Sequence, residues 1–444
     1  MKKIPFICLG LALTVWTAGC TKSNPEAEAT PDKGEQAETG PVQITVFSAP
    51  GDSEASWNDR YGDAIKKKFP NVTFKFISPR GNDALRIDNF LASGETVDLY
   101  YESIGGYFGT LPKYNLQFDH TDLIKKYQVD LDTFEPSLID ALKTNGNGQI
   151  WGLPVNNNNM VLYYNKDIFD KFGVPYLKDG MTWDEVIDIS KKFNQTVDGK
   201  QYIGLIVSPK HIMNVNQFSI PYVDPKTKLP SYTDSNWNES WKTLLQTSFI
   251  QPASDSGYKA KIEQLGKKLP YANEWQKTYE AAMYAHLSNL PFINEPEFLN
   301  MNFDMVSLPT YKQLPGVGSQ MYPTYFSTTS LSKHKDIVFQ MIKYLTSEEY
   351  QNEYSKKGVM PVLKNDSLKK SFATETKYKD KNINFGAVFY NKPAPISPKS
   401  ELDSPVQSTI VSKLVDLSLG NMDPNTALRT AYEEGEKEIQ KNKK

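Results

Sequence analysis

Residues 152–165 read GLPVNNNNMVLYYN. A Gly-Leu-Pro turn leads into four asparagines, and these lead into Met160–Asn165, a run so apolar and β-prone that it reads as a buried strand. Asparagine tolerates left-handed turn geometry and satisfies nearby backbone groups, which accounts for one or two of the four. Four side-chain amides exceed that need. The stretch therefore reads as a place where the chain bends and also presents hydrogen-bonding groups.

On its N-terminal side, QITVFS from Gln43 reads as a strand, followed by a helix in which Trp57, Tyr61 and Ile65 recur every four residues behind Asp52 or Ser53 as N-cap. VTFKFI (72–77) is a second strand, DALRIDNFLASG a helix ending at Gly94, and VDLYY (97–101) a third strand. This alternation specifies parallel βαβ units. Helices follow at 121–127 and 133–142, and Asn145-Gly146-Asn147-Gly148 reads as a hairpin-type turn.

On the C-terminal side the α/β pattern restarts. Thr182 and Glu185 form a capping box, YIGLIVS (202–208) reads as a strand, and 238–250 and 273–286 include helices. FDMVSLPT (303–310) is a strand running into a turn. Amphipathic helical stretches follow at 334–358, 404–420 and 425–440.

The first twenty residues, MKKIPFICLGLALTVWTAGC, carry Lys2 and Lys3 and an apolar run from Ile4 to Trp16 that is too short for a mature transmembrane helix. Residues 1–19 therefore read as a signal peptide. Thr-Ala-Gly-Cys resembles the lipobox of bacterial lipoproteins, with Thr17 where leucine is usual, and that resemblance makes Cys20 the lipidated N-terminus. Residues 20–42 contain no core-forming apolar cluster and read as a flexible tether. Cys8 and Cys20 are the two cysteines, so removal of the signal leaves no disulfide.

With 50 Lys and Arg against 52 Asp and Glu, the net charge of −2 argues against a nucleic-acid partner. Aromatic residues make up 12%, and the length remaining after the tether points to two domains.

Several stretches taken in order resemble the extracellular solute-binding proteins of ABC importers, in the carbohydrate-binding, maltose-binding-protein-like branch. They are GETVDLYY, NGNGQIWGLPV, LYYNKDIFDKFGVPYLKDGMTWDEVIDISKKF, YEAAMYAHLSNLPF, MVSLPTY, HKDIVFQMIKYLTSEEYQNEYSKKG and ALRTAYEEGEKEIQ. The resemblance implies an α/β fold of two lobes, each a mainly parallel sheet flanked by helices, with the ligand cleft between them. Residues 43–155 and 311–358 would form the first lobe and 156–310 and 359–444 the second, with hinge crossings near 155–160 and 308–311. It further implies a monomeric receptor, lipid-anchored on the outer face of the cytoplasmic membrane, that passes a mono- or oligosaccharide to permease subunits without catalysis.

Ligands of open α/β sheets lie beyond the carboxyl ends of the strands, which makes Asp52, Glu102 and Ser103 candidates in the first lobe. In the second, AAMYAHLSN resembles the stretch where the family runs a strand out into the cleft, and it offers Tyr284, His286 and Asn289, while Phe218 and Tyr222 could supply ring faces. Tyr322, Tyr325 and Phe326 stand in MYPTYFS, where the family usually has glycines, so rings would replace a backbone approach there. Side chains alternate along an extended segment, so not all four asparagines face one way; the family's pattern counted back from Tyr164-Asn165 implies Asn158 as a ligand contact, with Asn156 on the same side and Asn159 a further candidate.

A secreted glycoside hydrolase needs two carboxylates across a scissile bond, and nothing in the sequence places such a pair. The four histidines show no metal-ligand spacing, and no cofactor motif is present. A peptide or polyamine ligand remains open within the binding-protein class.

Overall fold

Nine strands build two sheets, and the asparagine run joins them. The strands are β1 (Val42–Ser48), β2 (Val72–Ile77), β3 (Leu99–Ser103), β4 (Leu153–Asn156), β5 (Met160–Asn165), β6 (Ile203–Val207), β7 (Ala281–Leu287), β8 (Phe303–Ser307) and β9 (Thr324–Thr328). The computed structural model describes residues 40–442. The signal peptide, Cys20 and the tether up to residue 39 lie outside the described residues.

The first sheet has the order β2-β1-β3-β9-β4 and the second β8-β5-β7-β6. In the first, β2, β1, β3 and β4 run one way and β9 runs against them; in the second, β8, β7 and β6 run together and β5 opposes them. The reversed strand of each sheet is the one that follows a crossing from the other sheet. A chain that leaves the carboxyl edge of one sheet enters the facing edge of the next, so it must run opposite to strands whose carboxyl ends form that edge.

The return crossing comes later than the 308–311 read from the sequence. Tyr311 still packs with Phe218 and Trp183, at ring-centroid distances of 4.5 and 6.3 Å, and Val317–Gln320 pairs in parallel with Lys392–Ala394 before β9 joins the first sheet at Thr324. At the junction three segments lie side by side: Asn157 N–H donates to Met360 O at 3.1 Å, and Tyr322 N–H donates to Asn158 O at 2.7 Å. The Asn145–Gly148 turn makes no hairpin. It ends the helix Pro136–Asn145, with Asn147 and Gly148 at φ of 52° and 88°, and β4 starts only at Leu153.

The helix behind β1 is not uniform. Glu54–Trp57, capped by Ser53, and Asp63–Lys68 are α-helical, but Asn58–Gly62 forms a π-helical turn between them. Trp57, Tyr61 and Ile65 are all buried, as their spacing requires. Trp57, Tyr61, Tyr101 and Phe326 form an aromatic cluster with centroid separations from 4.7 to 6.3 Å. Aromatic pairs in this range contribute about 0.5–1.5 kcal/mol each beyond the area they bury. The cluster therefore fixes the position of the two tyrosine hydroxyls at its upper edge.

Candidate functional site

The carboxyl edges of the two sheets face each other across the junction. Thr324 pairs with both Ser103 and Asn156 at the first edge, and Met160 pairs with Leu287 at the second. Between them lies a cleft of about 610 Å³, and a smaller chamber of about 120 Å³ adjoins it on the side of Tyr354 and Met360. Such a volume suits a small-molecule ligand. A groove of about 980 Å³ along Tyr127, Phe134 and Tyr344 is larger, but elements packed on the first sheet alone wall it, so it offers no two-sided enclosure.

The first-sheet edge is a network of polar groups that satisfy one another. Asp52 accepts from the Arg60 guanidinium at 2.7 Å and from Tyr101 Oη at 2.8 Å, and its own N–H donates to Ser48 Oγ at 3.0 Å. Burial, followed by the neighbouring Asp52 charge, pushes the Tyr101 hydroxyl pKa up, so it remains a donor. Asn156 Nδ2 donates to Tyr61 Oη. The π-helical turn is what brings Asp59, Arg60 and Tyr61 in succession to the cleft wall, a frequent use of such turns.

Of the residues singled out from the sequence, Asp52, Ser103, Asn156, Asn158 and Asn289 come together in the cleft. The Asn158 side-chain amide makes no hydrogen bond within the described protein, and Asn289 Oδ1 is buried without a partner. Alternation along the asparagine run explains the division. Asn157 Nδ2 turns to Met321 Sδ at 2.8 Å, and Asn159 Nδ2 turns away to donate to Val388 O at 2.6 Å.

The remaining candidates stand elsewhere. Glu102 lies on the opposite face of β3 from Ser103, accepts from Tyr100 Oη, and fills space that an alanine at Gly106 would occupy. Burial pushes its carboxyl pKa up to about 7, against the hydrogen bonds from Tyr100 and Thr110. Tyr325 is fully buried and donates to Leu138 O at 2.9 Å. Phe218 packs on Tyr311, and Tyr222 accepts from Gln407 Nε2 at 2.7 Å inside the second core, so both rings serve packing.

Tyr284 and His286 share the β7 face that turns toward Tyr271 and His211. His211 in turn meets the Tyr322 ring at 5.7 Å, which places this pair one layer behind the cleft wall. Burial and the adjacent His211 push the His286 pKa down to about 3, and burial and Lys210 push that of His211 to about 4; both are neutral at pH 7. Among the described residues no group of three or more His, Cys, Asp or Glu could hold a metal ion.

Sequence reading missed Arg60, Tyr61 and Tyr101, whereas of the MYPTYFS rings Tyr322 lines the cleft. Tyr322 shares a hydrogen bond with Ser103 Oγ at 3.0 Å and so ties the returning segment to the first-sheet edge. The signal for Tyr61 and Tyr101 was present as core periodicity, which conceals that a buried ring can carry an exposed-edge hydroxyl.

Two facing α/β sheets joined by three adjacent segments, with polar side chains converging between them, define a protein that encloses a small solute. The model of the bacterial extracellular solute-binding protein family matches residues 60–380, and the chain belongs to that family. Membership implies an exported protein. An sn-glycerol-3-phosphate-binding periplasmic protein of Brucella abortus is 35% identical over 66 residues, a match that spans 15% of this chain and only 15% of that relative's length. An arabinooligosaccharide-binding protein of Halalkalibacterium halodurans is 20% identical over 309 residues, covering 68% of this chain and 65% of its own. An ABC substrate-binding protein of Listeria monocytogenes, solved in complex with cycloalternan, superimposes with a TM-score of 0.66 at 17% identity, over 90% of this chain and 99% of that one. At that identity the likeness establishes the fold.

Proposed function

We propose that the protein captures a mono- or oligosaccharide in the cleft and delivers it to an ABC-type membrane permease by hinge closure of two lobes. The observation that carries this reading is the composition of the cleft wall. It combines amides of Asn156, Asn158 and Asn289, one carboxylate held by Arg60 and Tyr101, and the rings of Tyr322 and Phe292. Sugar hydroxyls donate and accept at once, so fixed amides and carboxylates discriminate their geometry, while C–H faces of the ring pack on aromatic side chains.

The hinge consists of the adjacent segments near 156–160, 320–324 and 358–360. A ligand that touches both sheet edges binds the closed form better than the open one and so shifts the equilibrium toward closure. The chain would act as a monomer, held outside the cytoplasmic membrane by a lipid on Cys20; a lipid and a flexible spacer suit a receptor that works beside a permease. The names of the oligosaccharide-binding relatives support the same ligand class. A glycosidase reading is disfavoured because Asp52, the central carboxylate, is committed to an ion pair and a tyrosine hydroxyl.

The test is a thermal-shift and calorimetry screen of the mature protein against mono- and oligosaccharides. Ligand at 100 times its dissociation constant stabilises by roughly 2.7 kcal/mol. Turnover of a glycan without tight reversible binding would sink the reading.

A further inference from the structure

The chain has forty-six lysines and four arginines, yet the cleft wall contains two of the four arginines, Arg60 and Arg80, and no lysine. Random surface placement of cations in so lysine-rich a chain would give the reverse. Arginine differs from lysine in presenting a rigid, planar fork of donors that pairs with two oxygens of a carboxylate, sulfate or phosphate, and it is the more weakly hydrated cation. An arginine in the wall is thus suited to pairing with an oxyanion, either one of the protein's own carboxylates or one on a ligand.

The two arginines have different duties. Arg60 is paired with Asp52 at 2.7 Å and lies 5.3 Å from the centre of the Tyr61 ring, so its charge is spent within the wall. Arg80 makes no ion pair and no hydrogen bond to another described residue through its guanidinium, and it is exposed at the mouth of the cleft. It follows β2 directly, in a turn closed by Asn82 N–H donating to Pro79 O at 3.1 Å, so its backbone is fixed although its head is not.

The other charge left in the wall is Asp59. It borders both the main cleft and the small chamber beside Tyr354, whereas Arg80 borders the main cleft alone. Lys357 also lines that chamber but is paired with Glu353 at 3.1 Å, so Arg80 is the cation without an ion pair that a ligand in the main cleft meets.

We infer that the cleft takes a carbohydrate bearing an oxyanion (a uronate, a sulfate ester or a phosphate ester) and that Arg80 is the residue that reads this group. The inference rests on the saccharide reading above and narrows it. Arg80 would engage the anion in both oxygens while the amides and rings hold the sugar.

The test uses calorimetry of the mature protein with digalacturonate, the neutral counterpart galactobiose, a sulfated disaccharide, glycerol 3-phosphate and inorganic phosphate, each against wild type, Arg80→Ala and Arg80→Lys. The expected result is that an anionic saccharide binds at least tenfold more tightly than the neutral one. Arg80→Ala then weakens the anionic ligand at least tenfold, leaves the neutral one within about twofold and leaves the melting temperature of the free protein unchanged; Arg80→Lys recovers only part. Which of the uronate and sulfate arms responds identifies the oxyanion. A neutral saccharide bound as tightly as its anionic analogue, or an Arg80→Ala variant with undiminished affinity for the anionic one, overturns this inference while leaving the saccharide reading intact. Binding of glycerol 3-phosphate or inorganic phosphate with no saccharide bound overturns both.

Discussion

The two edges of the cleft are built differently. At the first-sheet edge Asp52, Arg60, Tyr101, Tyr61 and Asn156 are bonded to one another above an aromatic cluster, so their positions are set before any ligand arrives. At the second-sheet edge Asn289 Oδ1 has no protein partner, and Ile293, 58% exposed, has little to pack on. A group already held in place costs little further ordering when it binds, whereas a group that must be immobilised costs more. Under the proposed function the contrast predicts an order, with ligand docking on the first edge and closure recruiting the second.

The largest expected effect comes from breaking the first edge. Asp52→Ala leaves the Arg60 charge unpaired and the Tyr101 hydroxyl without its acceptor. Ligand affinity should fall at least a hundredfold by calorimetry, about 3 kcal/mol, because removal of one member of a hydrogen-bonded charge pair leaves the other exposed to its desolvation cost.

Gly62→Ala attacks the same edge through its support. The added Cβ would sit 2.6 Å from Asn58 Oδ1 and 2.8 Å from Trp57 Nε1, and overpacking of this kind costs about 1–3 kcal/mol, readable as a lower urea midpoint. Binding should weaken as well, since the π-helical turn aims Arg60 and Tyr61. For the second edge, Asn289→Ala should weaken ligand roughly tenfold, equivalent to about 1.4 kcal/mol, and leave the free protein's melting temperature unchanged.

Glu102→Gln sharpens the comparison from the opposite face of β3. The folded pKa of Glu102 is raised to about 7 from 4.5, so its contribution to stability is complete below pH 4.5 and is lost as pH rises toward 7. Wild type should therefore lose about 1–3 kcal/mol relative to the glutamine variant between those pH values, measured by urea unfolding, with ligand affinity unaltered. The smallest effect is expected at Tyr325→Phe, which removes the bond to Leu138 O and should cost about 1 kcal/mol of stability with no change in binding.

Parity explains most of what was legible. The doubled βαβ pattern, the buried strand after the asparagines and the capping box at Thr182 follow from local periodicity and side-chain chemistry, and they stand in the structure. The strand-end rule pointed to Asp52 and Ser103, and the family's pattern pointed to Asn158 with Asn156 on the same side; all four line the cleft. Side-chain alternation placed Glu102 on the far face of β3, a one-residue difference that a loop reading does not resolve. Around Pro323 it puts Tyr322 in the cleft and Tyr325 in the core. Phe218 and Tyr222 could not be separated from core rings by residue type. Arg60 depended on a π-helical turn, and a fourfold spacing of Trp57, Tyr61 and Ile65 reads the same with or without one.

If both edges hold one saccharide, Asn158, at the crossing between them, touches it. Isothermal titration of the mature protein and of Asn158→Ala with a saccharide found by screening, together with the melting temperatures of the free proteins, provides the measurement. The expected result is one site per chain, an affinity at least tenfold weaker in the variant, and equal melting temperatures. Unchanged affinity in Asn158→Ala, or a loss of affinity matched by a loss of stability, would contradict it.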